Sequence, residues 1–143
     1  MSEECIFCQI VRKEKEAYLV YEDEQCAAFL DAYPVNEGHT LVVPKKHYKN
    51  IYDIPEDILA YIMKVCKKLA MDYQKIFYSI GLNIMQSNGS VAKQTVFHFH
   101  IHLIPRYQND GLVLFRQHFT RADKNLSQTY HKIKDYQKKS KLS

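Results

Sequence analysis

Two short apolar runs, Ala17–Glu22 and Cys26–Leu30, are separated only by Asp23, Glu24 and Gln25. Runs of that length around a polar triplet predict a β-hairpin. Asn36-Glu37-Gly38 is a turn signal, and His39–Val43 behind it predicts a strand that stops at Pro44. Over residues 54–80 the rhythm changes. Apolar side chains recur at Ile58, Ile62, Val65, Cys66, Leu69, Tyr73, Ile76, Phe77 and Ile80, which is the three-and-four spacing of one long helix. Asp53 with Glu56 resembles a capping box, Pro55 suits a first turn, and Gly81 suits a helix stop. Leu82–Gln86 and Thr95–Ile104 then predict two further strands across the polar loop Ser87–Gln94, the second ended by Pro105. Beyond it the pattern weakens to a short apolar run, Leu112–Phe115, and a helical stretch over Asn125–Gln137.

Sequential strands joined by short loops favour antiparallel pairing. The expected fold is therefore α+β, a mostly antiparallel five-stranded sheet with one long helix and a C-terminal helix. With 143 residues and no repeat or Pro/Gly/Ser-rich linker, residues 1–143 read as a single domain. Residues 107–143 form a looser C-terminal extension of it.

Composition adds boundaries. A hydrophobic share of 46% with 25% charged residues is that of an ordinary globular chain. No apolar run approaches the ~20 residues that cross a bilayer, so no membrane span is expected. No basic segment followed by an apolar stretch opens the chain, and the expected location is cytoplasmic. The +4 formal charge is uneven, because Lys132, Lys134, Lys138, Lys139 and Lys141 crowd the end. That run reads as a solubilising tail, with contact to nucleic acid or anionic lipid as the rival. No aromatic-basic stripe marks a nucleic-acid module, so nucleic acid is not an expected partner. Of the four cysteines, Cys26 and Cys66 sit in apolar patterns and read as small core residues, while Cys5 and Cys8 stand apart.

The chemistry concentrates in Thr95–Ile104, T-V-F-H-F-H-I-H-L-I. Strand side chains alternate, so His98, His100 and His102 share one face, and Phe97, Phe99, Ile101 and Leu103 point to the core. Two chemistries suit three imidazoles about 7 Å apart along a strand. One is metal ligation, as in a zinc hydrolase. The other is phosphoryl or nucleotidyl transfer, in which a neutral imidazole attacks phosphorus. A non-catalytic nucleotide-binding module is a third reading.

His98-Phe99-His100-Ile101-His102-Leu103-Ile104 resembles the signature of the histidine triad family. The resemblance extends to Gln94-Thr95-Val96-Phe97, Phe7, Ile10, Phe29, Asp31, His39–His47 and Asn88-Gly89, and covers roughly residues 5–106. It implies an enzyme that cleaves at the α-phosphorus of a nucleoside phosphoramidate or dinucleoside polyphosphate, with a purine nucleotide as substrate. His100 would form a covalent nucleotidyl intermediate, and His102 would bind the phosphate oxygens. Gln94 and Thr95 would face the leaving group, and His39 would buttress the cluster. Phe7, Ile10 and Phe29 would hold the base, or simply pack in the core. Asp31, with Ala32 beside it, would meet the ribose, and Asn88 the ribose or phosphate. Lys93 departs from close relatives, which often have glycine there; it would bring a cation to the phosphate chain. The resemblance also implies a homodimer, and a C-terminal part that reaches the neighbouring active site.

Cys5-Ile6-Phe7-Cys8 has the two-residue gap of a zinc knuckle, with a redox pair as the rival. The resemblance implies a structural zinc site built from Cys5, Cys8, His47 and His98. Four protein ligands close a tetrahedral shell and leave no position for substrate.

Overall fold

The computed structural model describes residues 5–114 and 125–140. Those up to Leu112 form one compact unit, and those from Val113 onward form a second.

In the first unit β2 (Cys26–Leu30) and β3 (Thr40–Pro44) are buried along almost their whole length. Neither shows an in–out alternation, because both faces of the sheet are covered. One layer joins Cys26, Ala28, Val42, Ile101 and Leu103 to Ile62, Val65, Cys66 and Leu69 of α2 (Glu56–Phe77). The other joins Ala27, Phe29, Leu41 and Val43 to Phe7 and Ile10 of α1 (Ile6–Val11). With β1 (Leu19–Glu22), β4 (Gly81–Met85) and β5 (Ile101–Arg106), the sheet runs β1-β2-β3-β5-β4, and every neighbouring pair is antiparallel. The expected architecture is present, with α1 as an added short helix. Six residues carry too little periodicity to announce a helix, and the Cys5 thiol caps it by accepting from the Cys8 amide at 3.4 Å.

Other boundaries shift for local reasons. Asp53 does not cap α2. Its carboxylate accepts from the Lys49 and Asn50 amides, each at 3.0 Å, and closes the preceding turn. The helix ends at Phe77 on a left-handed Tyr78, not at Gly81, which opens β4. Pro105 lies inside β5 instead of ending it. By residue 105 β3 has passed its last pairing, so the missing N–H faces no ladder partner. The carbonyl on that side accepts from Asn36 Nδ2 at 3.0 Å. Gly38 is required at its turn: at φ +90° any Cβ would meet the Phe77 ring and Pro105 at 3.0 Å.

The largest departure concerns the histidine strand. Regular pairing begins only at Ile101, so residues 95–100 are irregular chain. The Phe99 amide donates to the Tyr48 carbonyl, which draws the segment off the ladder. Phe99, Ile101 and Leu103 are core as expected, but Phe97 is 40% exposed and does not join them.

Asp23 ties the hairpin to α2. One oxygen accepts from the Gln25 and Cys26 amides at 2.8 and 2.9 Å; the other accepts from the Tyr21 and Tyr61 hydroxyls. Burial raises the carboxyl pKa, but these four donors outweigh it and hold it at about 2.

In the second unit α3 (Leu126–Ser140) has no buried residue. Phe115 of the expected 112–115 run lies outside the described residues.

The depressed value makes Asp23 stabilising above its unfolded pKa of about 4, a contribution lost as pH falls through about 2. Asp23→Asn is expected to cost about 1–2 kcal/mol at pH 7. Urea titrations of both proteins between pH 7 and 2 should show the gap narrowing with acid.

Candidate functional site

The three triad imidazoles sit in a row, yet each is held differently. His100 is 7% exposed, and its Nδ1 lies 2.7 Å from the His98 carbonyl. A carbonyl only accepts, so Nδ1 carries the proton and Nε2 keeps its lone pair. Burial lowers the His100 pKa, and the bond to His98 offsets part of that effect. The ring is therefore a neutral imidazole with a bare Nε2, the form a nucleophile needs. Phe7 presses on it edge to face, with centroids 5.1 Å apart.

His102 takes the opposite tautomer through a chain of donors. The Val35 amide donates to His39 Nδ1 at 3.1 Å, so His39 must hold its proton on Nε2. That proton meets His102 Nδ1 at 3.0 Å, which leaves the His102 proton on Nε2. Burial, with His100 and His39 nearby, pushes the His102 pKa down to about 4. One neutral ring thus offers a lone pair and its neighbour an N–H, at a centroid separation of 5.0 Å. His39 is 4% exposed, and burial lowers its pKa too.

His98 turns elsewhere. Its Nε2–H donates to the Pro44 carbonyl at 2.8 Å. Its bare Nδ1 lies 3.4 Å from Cys5 Sγ and 3.5 Å from Cys8 Sγ, and His47 Nδ1 lies 3.3 Å from Cys8 Sγ. These four ligand atoms all fall within 4.8 Å of one another. Zn–S and Zn–N bonds of about 2.3 and 2.0 Å set the edges of a tetrahedral site at roughly 3.3–3.8 Å. The donor set and its spacing therefore fit zinc. Burial pushes the Cys8 thiol up to about 11, so a bound cation is what would make it a thiolate near neutrality.

The triad as a single metal centre is not supported. Among the described residues no group of metal-ligating atoms contains His98, His100 and His102 together. The second convergent group, Asp31, His39 and His102, is better explained by hydrogen bonding. A cation on His39 Nε2 would force a proton onto Nδ1, against the Val35 N–H.

The other expected site residues divide into committed and free. Asp31 accepts from the Tyr33 amide at 2.8 Å, and its second oxygen faces His39 Nε2 at 3.4 Å. A cleft of about 440 Å³ opens beside Asp31 and His39. Phe7, Ile10 and Phe29 all belong to the apolar layer under α1, and Ala32 is exposed. Asn88 and Gln86 pair through both carboxamides at 2.7 Å, and Asn88 Oδ1 also accepts from the Ile51 amide. Gln94 is 2% exposed, and its carboxamide is fully engaged with backbone. It accepts from the Gly89 amide and donates to the Lys49 and Val96 carbonyls. Its side chain clamps the loop. Thr95 and Lys93 are exposed. Lys93 has φ 73° and ψ 23°, a left-handed conformation that glycine adopts at lower cost. Sequence reasoning missed Val35, Tyr48 and Gln86. The first two act through backbone atoms, which leave no trace in residue type.

A HIT domain model matches residues 12–109. An uncharacterized HIT-like protein of Methanocaldococcus jannaschii is 50% identical over 110 residues, 77% of this chain and 84% of its own. An adenosine 5'-monophosphoramidase of Saccharomyces cerevisiae is 40% identical over 111 residues, 77% of this chain and 68% of its own. An adenylylsulfatase of Arabidopsis thaliana is 35% identical over 134 residues, 90% of this chain and 66% of its own. Among solved structures, a HIT family protein from Bacillus anthracis matches with TM-score 0.80 and 39% identity, over 94% of this chain and 97% of that one. A zinc-bound histidine triad protein from Mycobacterium smegmatis matches with TM-score 0.76 and 37% identity, over 82% of this chain and 85% of that one. The match of sequence, fold and histidine geometry identifies this chain as a member of the HIT domain family.

Proposed function

We propose that this protein is a nucleotide hydrolase that cleaves at the α-phosphorus of a nucleoside phosphoramidate or dinucleoside polyphosphate through a nucleotidyl-His100 intermediate. The observation that carries the reading is the tautomer of His100, fixed by the His98 carbonyl with Nε2 unprotonated and buried. The yeast and plant relatives support the reaction class, since their names give a phosphoramidase and an adenylylsulfatase.

His100 Nε2 attacks the α-phosphorus, a P–N bond forms, and the bond to the leaving group breaks with its electron pair. Positive charge developing on His100 is stabilised through Nδ1–H by the His98 carbonyl. The His102 Nε2–H lies beside it to bind a non-bridging oxygen, and Val35 and His39 hold that proton in place. Water then attacks phosphorus and gives up a proton, which balances the one the leaving group takes up; the P–N bond breaks with its electron pair returning to Nε2, and a nucleoside monophosphate leaves with His100 restored. Asp31 offers its second oxygen to the ribose, and Phe7, Ile10 and Phe29 border the base. Gln94 and Asn88 act at one remove, by shaping the loop before the triad.

Cys5, Cys8, His47 and His98 suit a structural zinc, which would join α1 and its Phe7 to the residue beside the nucleophile. A homodimer also fits. Met63, Met71 and Ile76 on α2 and Ile84 on the edge strand β4 are exposed, which a second copy would cover.

His100→Asn is expected to lower turnover of adenosine phosphoramidate by on the order of 10³-fold or more, while calorimetry still detects AMP binding. Undiminished turnover would refute the assignment. His39→Ala frees His102 to take either tautomer. It should lower kcat by on the order of tenfold with a smaller change in KM, at unchanged metal content. Metal analysis should find about one zinc per chain. Chelation or Cys8→Ser should lower Tm, with activity lost only in step with unfolding. Activity abolished in fully folded, zinc-free protein would point to catalytic metal instead.

A further inference from the structure

The loop between β2 and β3, residues 31–39, carries the amide that sets the His39 and His102 tautomers, yet its outer part is open to solvent. Tyr33 is 88% exposed and Val35 46% exposed, so burial does not fix the Val35 N–H on His39 Nδ1. The loop is tied down one residue further on. Asn36 Nδ2 donates to the Pro105 carbonyl at 3.0 Å and to Asp110 Oδ2 at 2.9 Å, which uses both of its hydrogens. The Asn36 carbonyl accepts from the His39 amide at 3.2 Å. Glu37 is tethered as well, because its carbonyl accepts from the Tyr107 hydroxyl at 2.7 Å.

Asp110 is a firm anchor for that tether. Arg106 at the end of β5 grips both its oxygens, at 2.7 and 2.9 Å, and the Tyr107 and Leu112 amides donate to it, each at 3.0 Å. Arg106 above all holds the carboxyl well below the usual carboxylate range, so a charged acceptor faces Asn36. The consequence reaches the imidazoles through the main chain. Without the Val35 N–H, His39 Nδ1 is free to take the proton. His39 Nε2 is then bare, and His102 Nδ1, 3.0 Å away, carries the shared proton and leaves His102 Nε2 without one. Asp31 Oδ2 also faces His39 Nε2, but at 3.4 Å it lies beyond a usual N–H···O bond. One amide on an exposed loop thus keeps two rings in register, and the chain after β5 holds that amide.

We propose that Asn36, anchored by Asp110, is a positioning residue that keeps the Val35 amide on His39 and thereby the proton on His102 Nε2. Its effect on turnover rests on the hydrolase reading; its effect on the tautomers does not. Long-range ¹H–¹⁵N spectra of the histidine rings in the full chain should show His39 and His102 each as a single Nε2–H form. Asn36→Ala leaves the Arg106–Asp110 pair in place and should move both rings together toward mixed tautomers, with the His100 ring unchanged. Asp110→Asn keeps the shape but withdraws the charged acceptor from Asn36, and should move them the same way. Adding Tyr107→Phe to Asn36→Ala removes the second tether and should deepen the shift. With adenosine phosphoramidate, Asn36→Ala should lower kcat about fivefold and change KM by less than about twofold. In a His39→Ala background the same substitution should cost almost nothing further, because the ring it acts through is gone. Unaltered His39 and His102 ring spectra in both folded single variants would overturn the proposal. A fall in kcat that adds in full to that of His39→Ala would do the same. An unsubstituted chain that does not turn over the substrate, yet shows the tautomer shift on Asn36→Ala, would sink the hydrolase reading and leave the positioning role standing.

Discussion

Most of the site depends on where the chain holds His98. Its carbonyl fixes the His100 tautomer, its Nε2–H is tied to the Pro44 carbonyl, and its Nδ1 faces two thiols. One fully buried residue thus joins the end of β3, the start of α1 and the candidate nucleophile. A displacement here would loosen the lone-pair direction on His100 and the apolar wall that Phe7 presents to it. The irregular backbone before Ile101 makes this possible. A regular ladder through residue 98 would engage its carbonyl with a neighbouring strand, whereas here that carbonyl is available to His100.

The two imidazoles nearest the proposed reaction are made unlike by different backbone groups. A carbonyl sets His100 and an amide, relayed through His39, sets His102. Burial keeps both neutral, so tautomer and not charge distinguishes attacker from donor. Side chains of identical chemistry acquire different capacities because the main chain around them offers an acceptor to one and a donor to the other.

Much of this was legible beforehand. The three-and-four spacing located α2, and the alternation of Phe99, Ile101 and Leu103 with the histidines set which side of the segment is core. The family signature and the Cys-x-x-Cys pair pointed to the four residues that converge on a zinc-sized space. Less legible were Asp53, Gly81 and Pro105, each with a strong intrinsic preference that its surroundings redirected. Gln94 is the clearest case. A polar residue before the triad invites a role toward substrate, but burial requires every polar atom to find a partner, and the nearest were backbone groups. Lys93 shows the converse, a side chain whose type suggests charge chemistry on a backbone conformation that suits glycine.

By itself the sequence determined the residue types and their local order: three imidazoles at every second position, two thiols at helical spacing, and apolar runs long enough to cover a sheet on both sides. These follow from periodicity and side-chain chemistry, which are local. The tertiary structure decided which nitrogen of each imidazole is bare and which polar side chains are committed to the backbone. Those outcomes depend on main-chain groups both near and far in sequence, the His98 carbonyl two residues from His100 and the Pro44 carbonyl 54 residues from His98, and main-chain groups are the same at every position until the fold aims them.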